Sequence, residues 1–359
     1  MTEGASTTGA GRVRVVLDMT FPDRNHGGSG GYARSLLASF RGRDDVQVSE
    51  IRSLRPGVGR TAWWLARGAA ARLRRLPADL IHCPNFVSPW SLPVPLVVTV
   101  FDLSTRRFPG DHPLEWRGYE RLLLPGRLRS AARVIAISEV TRQDVMREYG
   151  VAPDRVVTIY PGVDQRFFVP TAKRRAGAQP VLLFPGAPVA RKNLDLVLRA
   201  MAAGGPDGEL RRTRLEITGA TADQFPAVAG QIDSLGLAKR VVWRGRLPLD
   251  EMPGALAAAD VVVYPSLYEG FGFPPLEAMA AGTPVVASTA SCLPEILGDA
   301  ALLVEPTDVG AFSKAVESVL SAGSVRSRLV EAGRRRAAEF TWKRCADQTL
   351  DVYRAVARG

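Results

Sequence analysis

The sequence predicts an α/β protein with two domains, in which buried parallel strands alternate with helices. A chain of 359 residues is long enough for two domains of ordinary size. Short apolar runs, such as residues 181–184 and the β-branched run within 260–266, are followed by glycine and then by a helical pattern, which is typical of parallel sheets. Ligands bind such sheets at the carboxyl ends of the strands, so the glycine loops there are candidate sites.

The loop after residues 260–266 carries two carboxylates, Glu269 and Glu277, on either side of a glycine-rich turn formed by Gly270, Phe271 and Gly272. Glycine allows backbone N–H groups to approach a ligand closely. We expect Glu277 in the first turn of the following helix, where the positive helix end favours an ionised carboxylate that suits a ribose diol. Glu269 can bind the hydroxyls of a second sugar, so the pair suggests a nucleotide-sugar. Either glutamate alone is better explained as a solvated loop charge or a residue at a helix start, whereas the whole pattern after a buried strand favours the sugar site.

A second anion site is predicted at Arg191 and Lys192, which precede a helix whose N-cap we expect to be Asn193. Two cations at the positive end of a helix are electrostatically misplaced unless an anion joins them. A diphosphate would gain both side chains and the helix N–H groups. The alternative is a solvated basic turn. Gly186 ends the preceding strand.

The first half of the chain offers two weaker candidates. Gly28, Gly30 and Gly31 form a glycine loop between a strand at 12–18 and a helix from Tyr32. This loop is suited to phosphate or acceptor contacts, but it lacks the G-x-G-x-x-G spacing of a dinucleotide site, and a flexible loop is the alternative. Asp102 ends the strand at 96–102 and would face the cleft, or else would cap the following turn.

Composition narrows the function further. Hydrophobic residues make up 46% and charged residues 23%, and three scattered cysteines indicate neither a disulfide framework nor a zinc site; we expect no cofactor and no metal. The net charge of +11 favours polyanionic partners, namely a phosphorylated substrate or an anionic membrane surface. No nucleic-acid-binding motif is visible. Without a signal pattern or a membrane-spanning run, a cytoplasmic location is expected.

Residues 60–75 form a basic segment that contains Trp63 and Trp64. Tryptophan and arginine are typical of helices that lie on a lipid surface. The segment is therefore either a peripheral membrane contact or an ordinary helix that buries its tryptophans against the sheet.

The carboxylate pair with this spacing resembles the E-x7-E signature of retaining glycosyltransferases of family 4, and the following residues 277–286 and 293–295 also resemble that family. The resemblance implies the GT-B fold, with two Rossmann-like domains facing a central cleft. It places an acceptor-binding domain at 11–169, together with a C-terminal helix at 341–357 that crosses back. A donor-binding domain would follow at 178–340, after a linker at 170–180.

The resemblance also implies roles. Arg191 and Lys192 would bind the donor diphosphate, Glu277 the ribose, and Arg246 with Leu247 the base. Glu269, helped by the N–H groups of Phe271 and Gly272, would orient the sugar; Glu269, Lys192 and Asp102 are the candidate catalytic residues. Phe101 stands where the family commonly has histidine, and Gly31 where arginine is common.

The sequence thus predicts a retaining, metal-independent hexosyltransferase of glycan biosynthesis, mannosyltransferase-like. Its donor would be an NDP-sugar such as GDP-mannose, and its acceptor a hydroxyl of a glycan, a lipid-linked sugar or a small molecule. A sugar-nucleotide epimerase and a non-catalytic nucleotide-sugar-binding protein remain open, the latter because of Phe101. An NAD dehydrogenase is disfavoured by the missing fingerprint.

Overall fold

The computed structural model describes residues 12–24, 27–53, 63–170, 178–205 and 208–359. They form two six-stranded sheets in which neighbouring strands are parallel, so the predicted α/β fold of two Rossmann-like domains is confirmed. The first sheet has the order β2-β1-β3-β4-β5-β6. Its strands are β1 (Val13–Asp18), β2 (Val46–Ile51), β3 (Leu80–Cys83), β4 (Leu96–Val100), β5 (Arg133–Ala136) and β6 (Val156–Thr158).

The second sheet has the order β12-β11-β10-β7-β8-β9. Most of its central strand positions are fully buried, as expected for a sheet covered on both faces. Its strands are β7 (Val181–Phe184), β8 (Arg214–Thr218), β9 (Val241–Gly245), β10 (Val261–Tyr264), β11 (Val285–Ser288) and β12 (Leu302–Val304).

Helices cover both sheets. In the first half of the described chain they are α1 (Gly28–Phe40), α2 (Ala69–Leu73), α3 (Ser104–Arg107), α4 (Leu114–Leu122), α5 (Leu124–Ser130) and α6 (Glu139–Tyr149). In the second half they are α7 (Leu194–Ala203), α8 (Glu209–Arg212), α9 (Pro226–Ser234), α10 (Met252–Ala258), α11 (Phe273–Ala280), α12 (Leu293–Leu297), α13 (Val309–Ser321), α14 (Gly323–Ala338) and α15 (Trp342–Arg358). Among the described residues, no helix combines the length and the apolar character that crossing a membrane requires.

The last helix, α15, packs on the first sheet although it follows the second one in the chain. Leu350, Tyr353 and Val356 join the hydrophobic cluster beneath α1, so the C-terminal helix crosses back to the first domain, as the resemblance implies. The Tyr353 hydroxyl lies 2.5 Å from Nδ1 of His82, whose Nε2 lies 2.8 Å from the Thr99 hydroxyl. This buried chain of hydrogen bonds fixes the helix to β3 and β4.

The structure corrects the predicted glycine loop. Helix α1 begins at Gly28, not at Tyr32, and the N–H of Gly31 already donates to the carbonyl of Gly27 at 3.0 Å. Gly28, Gly30 and Gly31 therefore form the first helical turn. Sequence propensity missed this start because three glycines oppose a helix, whereas Tyr32 and Leu36 gain burial in the core when the helix begins there.

In the basic segment at 60–75, one tryptophan is buried and the other is exposed, so each of the two interpretations applies to one of them. Residues 60–62 lie outside the described part of the chain. From Trp64 to Gly68 it forms one wide π-helical turn that continues into α2. Trp64 is buried and donates its Nε1–H to Asp18, whereas Trp63 is 60% exposed. Most of the predicted linker, residues 171–177, also lies outside the described residues.

Candidate active site

Neighbouring strands β7 and β10 bring the predicted donor residues together. Because these strands pair in parallel, the segments that leave their carboxyl ends start side by side. Lys192 Nζ lies 2.6 Å, and Arg191 Nη1 2.9 Å, from the same carboxylate oxygen of Glu269. Lys192 also donates to the hydroxyl of Tyr264. The two cations and the first glutamate of the signature thus form one buried cluster.

The charged groups of this cluster shift one another's pKa values. Burial by itself would raise the pKa of the Glu269 carboxyl, but Lys192 and Arg191 outweigh burial and hold it below its usual value. Burial lowers the pKa of Lys192 against the opposing effect of Glu269. Two cations against one carboxylate leave the cluster with a net positive charge, which suits an incoming anion.

Hydrogen bonds to neighbouring segments of the second domain fix the turn that carries the two cations. Residues Ala190–Lys192 form a 3-10 turn, and Leu267 N donates to the Arg191 carbonyl at 2.7 Å. Asn193 is not the side-chain N-cap that the sequence suggested: its backbone is left-handed, with φ of 55°, and its amide donates to the carbonyls of Pro265 and Pro306. Asparagine tolerates that conformation better than most residues, and the two bonds connect the turn to the segments that follow β10 and β12.

Glu277 lies in the second turn of α11, not in the first, because the helix begins at Phe273. The expected stabilisation of its ionised form is also wrong: burial raises the pKa of Glu277 to about 7, the charge of Asp164 adds to the rise, and Arg166 opposes it. Pro274 and Pro275 occupy the first turn of the helix. In the free protein this carboxyl therefore changes protonation near neutral pH.

The predicted base-binding residues directly follow β9, which is an edge strand of the second sheet. The Gly219 N–H donates to the Gly245 carbonyl at 2.7 Å. A Cβ on Gly219 would lie 3.0 Å from the backbone of Gly186. The loops after β7, β8 and β9 are thus in direct contact, and Arg246, which is exposed, and Leu247, which is half-buried, follow immediately. Gly186 is left-handed, with φ of 110°, which favours glycine there.

The first domain meets the signature loop at Phe101. A Cβ placed on Gly270 would lie 1.8 Å from the Phe101 carbonyl oxygen, so only glycine fits at this contact. Thr141 Oγ1 donates to the same carbonyl at 3.1 Å. Asp102 accepts a hydrogen bond from Ser104 N at 2.8 Å through Oδ1, so it caps the following turn with one carboxylate oxygen, and this cap is compatible with an acceptor contact through the other.

Several contacts across the cleft involve residues that the sequence did not single out. Asp111 accepts from the N–H groups of Ala190 and Arg191, both at 3.2 Å, so a carboxylate of the first domain binds the turn that carries the two cations. The Tyr268 hydroxyl accepts from Leu103 N at 3.1 Å and donates to Asp144 at 2.8 Å. The only signal for Asp111 is a polar pair in a proline-glycine turn shortly after Asp102.

Two further contacts complete the interface. Glu295, part of the resembling stretch, accepts from Glu139 N at 2.7 Å and from Val140 N at 3.2 Å, so it caps helix α6 of the other domain. A Cβ on Gly28 would lie 3.3 Å from the ring of Phe273. Of the three glycines at the start of α1, Gly28 thus faces the signature loop, Gly30 is buried, and a Cβ on Gly31 would meet open space.

Comparisons with known proteins agree with this geometry. The family "Glycosyl transferases group 1" matches residues 167–336, and "Glycosyltransferase Family 4" matches residues 26–167. The chain is 30% identical to the O-antigen chain mannosyltransferase B of Escherichia coli, over 89% of this chain and 82% of that protein. It is 34% identical to an MMP alpha-(1->4)-mannosyltransferase of Mycolicibacterium hassiacum, over 79% and 72%.

Among solved structures, the sucrose-phosphate synthase of Thermosynechococcus elongatus superposes with a TM-score of 0.78 at 22% identity, covering 96% of this chain and 99% of that one. Anabaena HepE in complex with UDP and glucose superposes with a TM-score of 0.74 at 18% identity, covering 95% and 99%. These likenesses establish the fold. Together with the sequence matches along both halves, they show that the chain belongs to the GT-B glycosyltransferases of family 4.

Proposed function

We propose that this glycosyltransferase transfers a hexosyl unit from an NDP-sugar to a hydroxyl acceptor, with retention of configuration and without a metal ion. The observation that carries the proposal is the buried cluster of Arg191, Lys192 and Glu269 at the joined ends of β7 and β10. Preorganised cations at a leaving diphosphate stabilise the charge that develops as the glycosidic bond breaks. The mannosyltransferase names of two relatives favour GDP-mannose as donor.

Each residue then has a role in one displacement. Arg191 and Lys192 neutralise the leaving diphosphate, Glu269 and the N–H groups of Phe271 and Gly272 orient the sugar, and Glu277 holds the ribose. The acceptor oxygen bonds to the anomeric carbon on the face from which the diphosphate departs, and a diphosphate oxygen takes the acceptor's proton. Asp102 orients the acceptor from the first domain, and Arg246 with Leu247 contacts the base.

The experiment that tests this proposal begins with the donor. A thermal-shift screen against GDP-mannose and UDP-, ADP- and dTDP-sugars should raise the melting temperature with one base, because a ligand of the folded state stabilises it. Transfer with that donor, in EDTA, should give a product whose anomeric configuration, read by NMR, equals the donor's. An inverted product or dependence on an added metal would refute the mechanism; binding without turnover on any acceptor would favour a nucleotide-sugar-binding protein.

Donor binding should depend on pH through Glu277. Its pKa of about 7 in the free protein means that the carboxyl is largely protonated at pH 6 and ionised at pH 8. A ribose diol donates to the ionised form, so binding should release a proton, and affinity should fall by about tenfold from pH 8 to pH 6. Calorimetry of the nucleoside diphosphate in two buffers of different ionisation enthalpy measures the proton release directly.

Glu277→Gln is the matched control for this prediction. The variant should bind the nucleoside diphosphate weakly at both pH values and release no proton. It should also melt higher than the parent at pH 8. The folded-state pKa lies above the unfolded value of 4.5, so stability falls as pH rises between the two, and glutamine removes that loss. Equal pH dependence in both proteins would remove Glu277 from the site.

We also propose that the first domain docks on anionic lipid through a surface that we call the tryptophan patch. It consists of two exposed tryptophans, Trp63 and Trp90, and four exposed cations, Arg67, Arg72, Arg74 and Arg75. The segments that carry the tryptophans are in contact, because Trp90 N donates to the Leu65 carbonyl at 2.7 Å. Interfacial tryptophans and basic clusters are what an anionic bilayer surface attracts.

Replacing Arg72, Arg74 and Arg75 together by glutamine should lower binding to phosphatidylglycerol vesicles at least tenfold, since each cation near such a surface contributes about 1 kcal/mol. Co-sedimentation with the vesicles measures the bound fraction. Leu249→Ser changes an exposed apolar residue of the second domain and should leave binding intact. Equal binding of the parent to phosphatidylcholine vesicles would contradict the electrostatic part of the proposal.

A further inference from the structure

His112 has a buried ring nitrogen that no other described residue uses. It follows the turn Pro109–Asp111, and its backbone carbonyl accepts from Arg117 Nε at 3.1 Å. Its Nε2 is inaccessible to solvent and has no hydrogen-bond partner in the described part of the chain. Buried polar side-chain atoms are nearly always paired, so an unpaired one points to a partner that arrives with a ligand.

The surroundings of His112 place it at the junction of the two domains. Its neighbour Asp111 holds the N–H groups of Ala190 and Arg191 in the turn that carries the cations. The charges of Asp102, at the end of β4, and of Arg191 both act on the imidazole. His112 therefore directly follows the residue that contacts the turn carrying the cations, at the junction of the two domains.

The other polar groups on this side of the cleft are already engaged in protein bonds. Asp102 accepts from Ser104 N, and Asp111 accepts from two backbone N–H groups. Phe101 offers an apolar ring that packs edge-on against Tyr32 at 5.2 Å. Of these side chains, the imidazole of His112 is the one that has a buried atom without a partner.

The imidazole is neutral at neutral pH. Burial lowers the pKa of His112, and Arg191 and Arg117 act in the same direction against Asp102 and Asp111. A neutral imidazole has one nitrogen that donates and one that accepts, so its Nε2 can form one hydrogen bond with a hydroxyl. It carries no charge that would compete with Lys192 for the diphosphate.

We propose that His112 is a substrate-contacting residue whose Nε2 forms a hydrogen bond with a hydroxyl of the transferred sugar. This inference rests on the proposed function, because it requires a sugar donor in the cleft. It makes His112 a determinant of which hexose is transferred, separate from the residues that bind the nucleotide.

The test compares activity with stability in His112→Leu. Losing one hydrogen bond should lower kcat/KM about tenfold, while affinity for the nucleoside diphosphate alone stays unchanged. The melting temperature should stay equal or rise, because an apolar side chain removes a buried unpaired nitrogen. His112→Gln, whose amide reaches the position of Nε2, should recover part of the activity, and His112→Asn, whose amide matches Nδ1, should not.

Donors that lack single sugar hydroxyls locate the contact. One deoxy-donor should be a poorer substrate for the parent by about the same tenfold factor and should lose nothing further in His112→Leu, as expected for two halves of one interaction. Full additivity for every deoxy-donor, or a melting temperature that falls together with activity, would overturn the inference. If the nucleoside diphosphate binds neither protein, the proposed function itself fails, which is a distinguishable result.

Discussion

Lys192→Ala should lower kcat/KM for sugar transfer by roughly 10²–10³, the range found when one preorganised donor to a developing charge is removed. Lys192 is 8% exposed and lies 2.6 Å from Glu269. Its removal takes one of two cations from the diphosphate and leaves Glu269 with Arg191 as its remaining partner in the cluster. Initial rates of transfer and of donor hydrolysis, measured over a range of donor concentrations, check this expectation.

Two companion variants separate the causes. Lys192→Ala combined with Glu269→Gln removes the buried carboxylate as well as the cation, so a double variant that is more stable than Lys192→Ala would show that an unpaired Glu269 destabilises the single variant. Lys343→Ala removes an 86% exposed lysine whose partner is Asp347 and should change no rate. Parental rates in Lys192→Ala would show that this residue does not bind the leaving group.

Gly270→Ala should reduce kcat/KM at least a hundredfold because it obstructs the contact between the two domains. The added Cβ would lie 1.8 Å from the Phe101 carbonyl oxygen and 2.9 Å from Asp102 Cβ. Both residues directly follow strand β4, which holds them in place. The domains must separate locally, and a displacement of about 1 Å at a reacting centre can cost on the order of a hundredfold in rate. Transfer kinetics and small-angle scattering measure the two effects.

The nucleoside diphosphate should still bind Gly270→Ala, because the cations and Glu277 belong to the second domain and are not displaced. Gly254→Ala is the control: it lies within α10, and its Cβ would have no neighbour within 4 Å, so stability should stay level or rise slightly. If Gly270→Ala transfers at the parental rate, the contact at Phe101 has no part in catalysis.

The strands and the joined donor cluster could be predicted because they depend on local patterns. Short apolar runs predicted β7 and β10, and the rule that parallel strands end at one edge of the sheet placed Lys192 near Glu269. The protonation of Glu277 could not be predicted, because its pKa depends on burial and on Asp164, which is distant in the chain. The prediction of a glycine loop before Tyr32 was wrong for another reason. The packing of Tyr32 and Leu36 outweighed the poor helix propensity of Gly28, Gly30 and Gly31.

The contacts between the two domains could not be predicted from the sequence either. Asp111 and His112 stand in a short turn without periodicity, and only the folded chain shows that Asp111 meets Ala190 and Arg191. A single sequence records which residues are charged or polar, but not which of them face one another across a cleft.

The placement of α15 has a consequence for biosynthesis. The hydrophobic cluster under α1 contains Cys345, Leu350 and Tyr353, which a ribosome adds only after every strand of both sheets. The first domain therefore keeps an apolar groove exposed until α15 has been synthesised, contrary to the usual order in which N-terminal domains mature first. Nascent chains stalled before α15 should consequently be the form most dependent on chaperones.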